Sequence, residues 1–482
     1  MRARVDLIQL MVPLWLRLAA LGFLLNCKPS EPFLSLYLNE TKGLSADVLL
    51  RDVYPWSTAG AFIFLLPLAI LSELIGCVRV IWIGLACREI TRAILVFGEG
   101  VAIMAIMQLT YSAGVAVDAI YFAYVYAVAP RSQYAPLTAI VLGAYHAGNV
   151  VAALAGELLV DVVAPAWRSN LTPLFYISWA TTTLGMVAAL MLPPPVRAPP
   201  PALARHLIER GARATAREVA GLWRSRTSLR WLAWSLLAAS GQAVVLNSFQ
   251  LQLLPFLVPF GLLEAGVECG LLVGAALGAI PWVTRGALAH PGAFVGLTAV
   301  IYGLALLFAA LAARGGNAAA PIALNMVAAL IFGLQRSVGS AQLARAVSES
   351  TSTSRFSLLF SANTLLANLV AAALNAAGAA SGWDDANSFY FAVAALQAVL
   401  TLVSLPLSGT ASELQRMLAS DDHGHEDEED LVGSNAAAGA SCGHVQGEAV
   451  AAEGGGRCVC GTIDASRDGE HQAPSAPSKE HL

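Results

Sequence analysis

Lys28-Pro29-Ser30-Glu31-Pro32-Phe33 is the stretch on which the fold reading turns. It places a carboxylate and two prolines inside sequence otherwise apolar enough to sit in a lipid bilayer. Pro29 and Pro32 remove two backbone donors and interrupt a helix. Interrupted helix at membrane depth is tolerated only where it is buried in protein or lines a cavity. Asp118-Ala119-Ile120-Tyr121 repeats the situation further along the chain. A charged side chain in a bilayer is costly, so Glu31 and Asp118 are expected to face a protein interior or a water-filled cavity. For either acid alone, an interior salt bridge or a capped helix end is as good a reading as a binding site. Two acids, each beside aromatic residues, favour a cation-recognising cavity.

Composition agrees with a membrane protein. The chain has 482 residues, 57% hydrophobic and 12% charged, with a mean hydropathy of +0.65. Soluble domains carry about a quarter charged residues. The net charge of −4 says little, because the acids are concentrated near the C-terminus. The first apolar segment reads as a retained span rather than a signal peptide. Cys27, Cys77, Cys87 and Cys269 fall in or beside apolar segments, where a free thiol is the usual state. Cys458-Val459-Cys460 is too short and isolated to argue a metal site. No cofactor, metal or nucleic-acid partner is implied, and neither a P-loop nor a channel filter is present.

Apolar runs long enough to span a bilayer predict twelve helices. They cover about 8–37, 54–77, 79–98, 101–128, 134–162 and 172–192, then 231–254, 265–284, 291–313, 319–345, 357–379 and 388–407. The expected organisation is a six-helix half over 1–192, a basic linker over 193–230, a second six-helix half over 231–408, and a disordered tail over 409–482. The linker carries eight arginines from Arg197 to Arg230 against only Glu209 and Glu218. The positive-inside rule therefore puts it, and both termini, in the cytoplasm. Asn39-Glu40-Thr41 and Asn170-Leu171-Thr172 match the N-glycosylation pattern, and both fall in exterior loops on that orientation. Residues 203–223 form either an amphipathic helix against inner-leaflet lipids or a merely solvated basic linker. The tail, with its run Asp421 to Asp430 and its Gly, Ala and Ser, cannot bury enough apolar surface to fold. Six spans, a linker and six more give an all-α, major facilitator-type twelve-helix bundle in two halves, with substrate bound between them.

Several motifs resemble one family. Lys-Pro-Ser-Glu-Pro-Phe-Leu at 28–34 is similar to the first-span signature of the reduced folate carrier and thiamine transporter family. The resemblance continues through Val53-Tyr54-Pro55-Trp56, Phe97-Gly98-Glu99-Gly100, the run from Asp118 to Tyr126, Ala144-Tyr145-His146-Ala147-Gly148, Val245-Leu246-Asn247 and Leu359-Phe360-Ser361-Ala362-Asn363-Thr364. It extends over about residues 10–408, more loosely in the second half. It implies the major-facilitator fold and vitamin transport, of anionic folates or cationic thiamine. Folate carriers of the family hold their substrate with bases in the fourth, tenth and eleventh spans. Here the corresponding positions are Asp118 or a close neighbour, Gly333 and Ala371.

The thiamine branch instead has an acid followed three residues later by tyrosine, as Asp118 and Tyr121 do, on one helix face. Other positions similar to that branch's site are Glu31, Tyr145, Asn247 and Glu268. A carboxylate accepts hydrogen bonds from an amino group and offsets positive charge. Tyrosine rings stack against a cationic ring for about 0.5–2 kcal/mol each. Two departures concern the site. Asp118 is a methylene shorter than the family's Glu. Trp56 directly follows Pro55, where relatives have Pro-x-Trp, and that shift turns the side chain by about 100°.

Other charges have bland readings. Glu89 and Arg92 in the third span suit an i,i+3 pair. Asp118 itself has a structural alternative, pairing with an arginine such as Arg92. Arg336 either binds an anionic substrate group or pairs with an acid such as Glu268. Glu73 and Arg79 resemble a degenerate gating clamp. The resulting expectation is a non-enzymatic, multi-pass transporter, with the plasma membrane as its default location. It moves thiamine or a related cationic vitamin by alternating access. The rivals are a folate or organic-anion exchanger using Arg88, Arg92 and Arg336, and a transporter-like receptor or scaffold.

Overall fold

The computed structural model describes residues 12–193, 226–253, 259–316, 319–350, 356–381 and 386–404. They lie in one compact unit, Met1–Ala419, whereas a second unit, Ser420–Leu482, falls wholly outside them. The expected tail and the amphipathic helix of the linker are therefore outside the described residues.

A helix occupies each of the twelve expected segments, and among the described residues there is no strand. We number them α1 (Leu14–Asn26), α2 (Pro55–Ile75), α3 (Cys77–Phe97), α4 (Val101–Val128), α5 (Tyr134–Leu158), α6 (Thr172–Ala188), α7 (Arg226–Leu253), α8 (Phe260–Leu277), α9 (Pro291–Arg314), α10 (Ala319–Ser350), α11 (Phe356–Ala380) and α12 (Ala386–Ser404). Seven of these segments are individually long and apolar enough to cross a membrane. An eighth follows if α8 and the next short helix, Pro281–Ala289, are one span bent by 81°. The span expected over 265–284 is thus broken within its length. The bend falls just before Pro281, which cannot donate to the preceding turn. α3 fails the simple apolarity test because Arg79, Arg88, Glu89 and Arg92 lie on it; three of these four turn out to serve the protein interior.

The apolar residues divide between core and rim. One core cluster ties α1, α3, α4 and α5 around Leu18, Leu21, Ile81, Ile120 and Val141. Another joins α7, α8, α9, α10 and α12 around Val244, Leu271, Leu306, Phe332 and Val393. Ile63, Ile106, Leu154, Val187, Leu304 and Phe308 are exposed. Exposed apolar side chains on long helices suit a lipid-facing rim, because lipid, unlike water, does not penalise them.

Among the described residues the halves meet chiefly where α5 packs on α8 and α10, where α11 packs on α2 and α4, and where the Glu31–Phe33 turn reaches α8. At the end where the linker joins, the contact is aromatic. Tyr126 of α4 stacks on Phe360 of α11 at 5.5 Å and also meets Phe356. Arg131, between α4 and α5, donates to the Ser348 carbonyl at 2.6 Å, and Cys77 lies 3.4 Å from the Ser357 hydroxyl. These contacts join the two halves at the linker end.

Candidate substrate site

The interrupted first span is held open by glycines on its neighbour. α1 ends at Asn26, after which Pro29 has no N–H to continue the helix. α5 passes beside this break with Gly148 and Gly156, a little over two turns apart. A Cβ at Gly148 would come within 2.4 Å of the Phe23 carbonyl oxygen, and one at Gly156 within 2.4 Å of the Pro29 carbonyl oxygen. Only glycine permits that approach. Of the backbone groups freed by the break, the Ser30 N–H donates to the Ser178 hydroxyl on α6 at 2.9 Å. The chain then re-forms a single 3-10 turn, Glu31–Phe33, and Glu31 is its first residue.

Close packing of α3 on α4 completes this half of the site. Gly84 sits against Val117 and Gly114 against the Arg88 side chain, with no room for a Cβ at either. Arg88 and Arg92 are one helical turn apart and point the same way. Arg88 donates to Asp118 Oδ1 at 2.5 Å and to the Gly114 carbonyl at 3.2 Å. Arg92 donates to Glu31 Oε2 at 2.9 Å, and Lys28 Nζ lies 3.5 Å from Glu31 Oε1. Lys28 also sits 6.0 Å from the centre of the Tyr111 ring. Three bases and two acids therefore form two neighbouring sets, Lys28–Glu31–Arg92 between the broken first span and α3, and Arg88–Asp118 between α3 and α4.

The second half contributes from α8 and α10. Glu264 and Glu268 are one turn apart on α8, and Glu264 lies within electrostatic reach of Glu31 and Lys28. Glu268 Oε2 is 2.6 Å from His146 Nδ1 on α5, a bond that crosses between the halves. Arg336 of α10 stacks over the Phe122 ring of α4 at 5.0 Å. Phe122 in turn touches Tyr121 and Tyr145.

Exposure separates the two signs of charge. Side chains of Arg88, Arg92 and Lys28 are 7%, 5% and 8% exposed, whereas Asp118 and Glu31 keep 18% and 25%. In each of these pairs the acid is the more exposed member and the base is buried. Burying each base is sustained only by its carboxylate, since an unpaired charge there is strongly unfavourable.

Several sequence expectations need correction. Glu89 does not pair with Arg92: it accepts from the Trp179 indole N–H at 2.6 Å and from the Thr183 hydroxyl, both on α6. The arginine on Asp118 is Arg88, not Arg92: Arg88 lies level with Gly114, one turn from Asp118, and Arg92 is a further turn away. Glu268 meets His146 rather than Arg336. Tyr121 is separated from Asp118: it is 3% exposed, and its hydroxyl donates to the Leu18 carbonyl at 2.6 Å. Three residues along a helix leave two side chains about 60° apart, enough for one to face a neighbouring helix. Trp56, at the start of α2, is exposed and joins none of these contacts. Asn247 is on α7, with its side chain outside what the structure describes. Arg79 is exposed and donates to the Ile75 carbonyl at 2.8 Å. Sequence reading also passed over Lys28, Tyr111, Phe122, His146 and Glu264. Only spacing hinted at two of them: Tyr111 is seven residues before Asp118, and Glu264 is four before Glu268.

Comparison with known proteins identifies the first half. The family model of the reduced folate carrier matches residues 11–199. That half is similar to the reduced folate carrier family. Human thiamine transporter 2 is 30% identical over 186 residues, 37% of this chain and 35% of the relative. A folate-like transporter of Dictyostelium discoideum is 26% identical over 238 residues, 49% of this chain and 39% of the relative. Folate transporter 1 of Caenorhabditis elegans is 30% identical over 173 residues, 36% of this chain and 37% of the relative. The chain thus matches only between a third and two fifths of the length of these relatives. The E. coli fucose:proton symporter FucP superposes with a TM-score of 0.59 at 14% identity, covering 82% of this chain and 98% of FucP. The human organic anion transporter MFSD10 gives 0.56 at 17%, covering 82% and 100%. The fold is that of the major facilitator transporters.

Proposed function

We propose that this chain is a multi-pass vitamin transporter that moves an organic cation of the thiamine class by alternating access. One observation carries the reading: carboxylates from both halves, Glu31, Asp118 and Glu268, are more exposed than the Lys28, Arg92, Arg88 and His146 side chains paired with them. Tyr145 and Phe122 supply ring faces beside the site. A carboxylate in such a place accepts from an amino group and offsets a cationic ring, and an aromatic face adds its own attraction. The positions used by folate carriers hold Asp118, Gly333 and Ala371, none of them basic.

The aromatic contacts at the linker end describe a carrier closed there, with the site reached from the opposite end. Asn39 and Asn170 are both exposed, in connections at that opposite end. This suits an exterior face, cytoplasmic termini and a plasma-membrane carrier. Glu31, Asp118, Tyr145 and Glu268 are the substrate contacts of this reading, with Arg336 at the edge of the site.

The folate or organic-anion rival draws on Lys28, Arg88 and Arg92, which outnumber their two acids. Uptake of labelled thiamine into vesicles carrying the purified protein separates the two. Excess unlabelled thiamine is expected to suppress it strongly and folate weakly. Better competition by folate than by thiamine overturns the cation reading.

A further inference from the structure

Asp118 and Glu31 are not equivalent. Glu31 has two basic partners, Lys28 and Arg92, so it stays compensated if one is drawn away. Among the described residues, Asp118 has one ion-pair partner, Arg88. That contact is the shortest ion pair of the site, and Arg88 is buried. Close packing supports the contact: Gly84 and Gly114 bring α3 against α4, and the Arg88 side chain lies along Gly114. An organic cation arriving at Asp118 therefore meets a carboxylate already occupied by a cation of the protein itself.

We propose that Arg88 is the internal counter-ion of the empty carrier. With no substrate bound, its guanidinium holds Asp118, and a cationic substrate displaces it when it binds. The consequence concerns what the protein transports and how. An alternating-access carrier changes orientation loaded or empty, and the empty step fails if it buries an unpaired carboxylate in a low-dielectric bundle. A carrier lacking a substitute cation is restricted to exchange, because only the loaded form crosses. A carrier with Arg88 on Asp118 returns empty and catalyses net flux. The chemistry assigned to this chain is therefore net facilitated movement of an organic cation, driven by its gradient and the membrane potential. The potential is worth about 2.3 kcal/mol per charge per 100 mV. Arg88 acts through Asp118, so it is a positioning residue and a determinant of transport mode rather than a substrate contact.

This inference rests on the reading of the site as one for an organic cation, and its test separates the two. Purified full-length protein is reconstituted into vesicles, and labelled thiamine is measured in two modes: net uptake into empty vesicles, and exchange against internal unlabelled thiamine. Wild type is expected to show both at comparable rates. Arg88→Gln is expected to lose net uptake about tenfold or more, the effect of about 1.4 kcal/mol added to the return barrier. Its exchange should persist with a lower KM, since no guanidinium competes. Arg88→Lys keeps the charge and should restore part of the net uptake. Loss of both modes together in folded Arg88→Gln overturns the counter-ion while leaving the substrate reading intact. Obligatory exchange by wild type overturns it without recourse to any variant. Wild type that moves thiamine in neither mode removes the substrate reading, and the counter-ion falls with it.

Discussion

The Arg88–Asp118 pair makes a quantitative claim about folding that a double-mutant cycle checks. Arg88 is 7% exposed, and Asp118 keeps 18% of its side-chain surface. Removing one partner of a fully buried pair costs about 3–5 kcal/mol, because the remaining charge is left without compensation. The partial exposure of Asp118 lowers that for Arg88→Gln, and in Asp118→Asn the amide oxygen still accepts from Arg88, so each costs about 2–3 kcal/mol. The double variant carries no orphan charge, and its two amides can hydrogen-bond each other in the same space. It should be no less stable than either single variant, which amounts to a coupling of about 2–3 kcal/mol. The cycle is read from unfolding of purified protein in detergent, with all four forms under one set of conditions. Additive losses, agreeing within about 0.5 kcal/mol of the sum, would falsify the claim that the two side chains neutralise each other. Single variants as stable as wild type would show instead that the pair is a solvated contact of no consequence.

Two further predictions concern residues whose roles the structure reassigns. Tyr121→Phe removes a buried hydroxyl that bonds to the Leu18 carbonyl and should cost about 1 kcal/mol of stability with an unchanged KM. A large rise in KM would return Tyr121 to the site. Gly156→Ala puts a methyl group 2.4 Å from the Pro29 carbonyl oxygen, so α5 and the Glu31 turn must separate. We expect a loss of about 1–3 kcal/mol together with weaker substrate binding. Gly286→Ala, where nothing lies within 4 Å, should change neither; equal effects at both glycines would remove close packing as the reason for Gly156.

The sequence by itself determined the class of this protein. Twelve apolar runs and a proline-broken first span set a helical membrane bundle, and the motifs from Lys28 to Tyr145 resemble one carrier family. The reason is that a bilayer demands long apolar segments and forbids unsatisfied backbone. It also marked Glu31 and Asp118 as interior charges, because a charge in apolar sequence stands out at any position.

The tertiary structure alone decided which charge meets which. Helical spacing joined Glu89 to Arg92 and Asp118 to Tyr121, whereas the folded protein sends Glu89 to α6, Arg92 to Glu31, Tyr121 to α1 and Arg88 to Asp118. Periodicity states which residues share a helix face. It does not state how far neighbouring helices are rotated or which side chain lies level with another. Those quantities are set by small-residue contacts such as Gly84 on Val117 and Gly156 on Pro29. They form between segments distant in sequence, and local pattern carries no record of them.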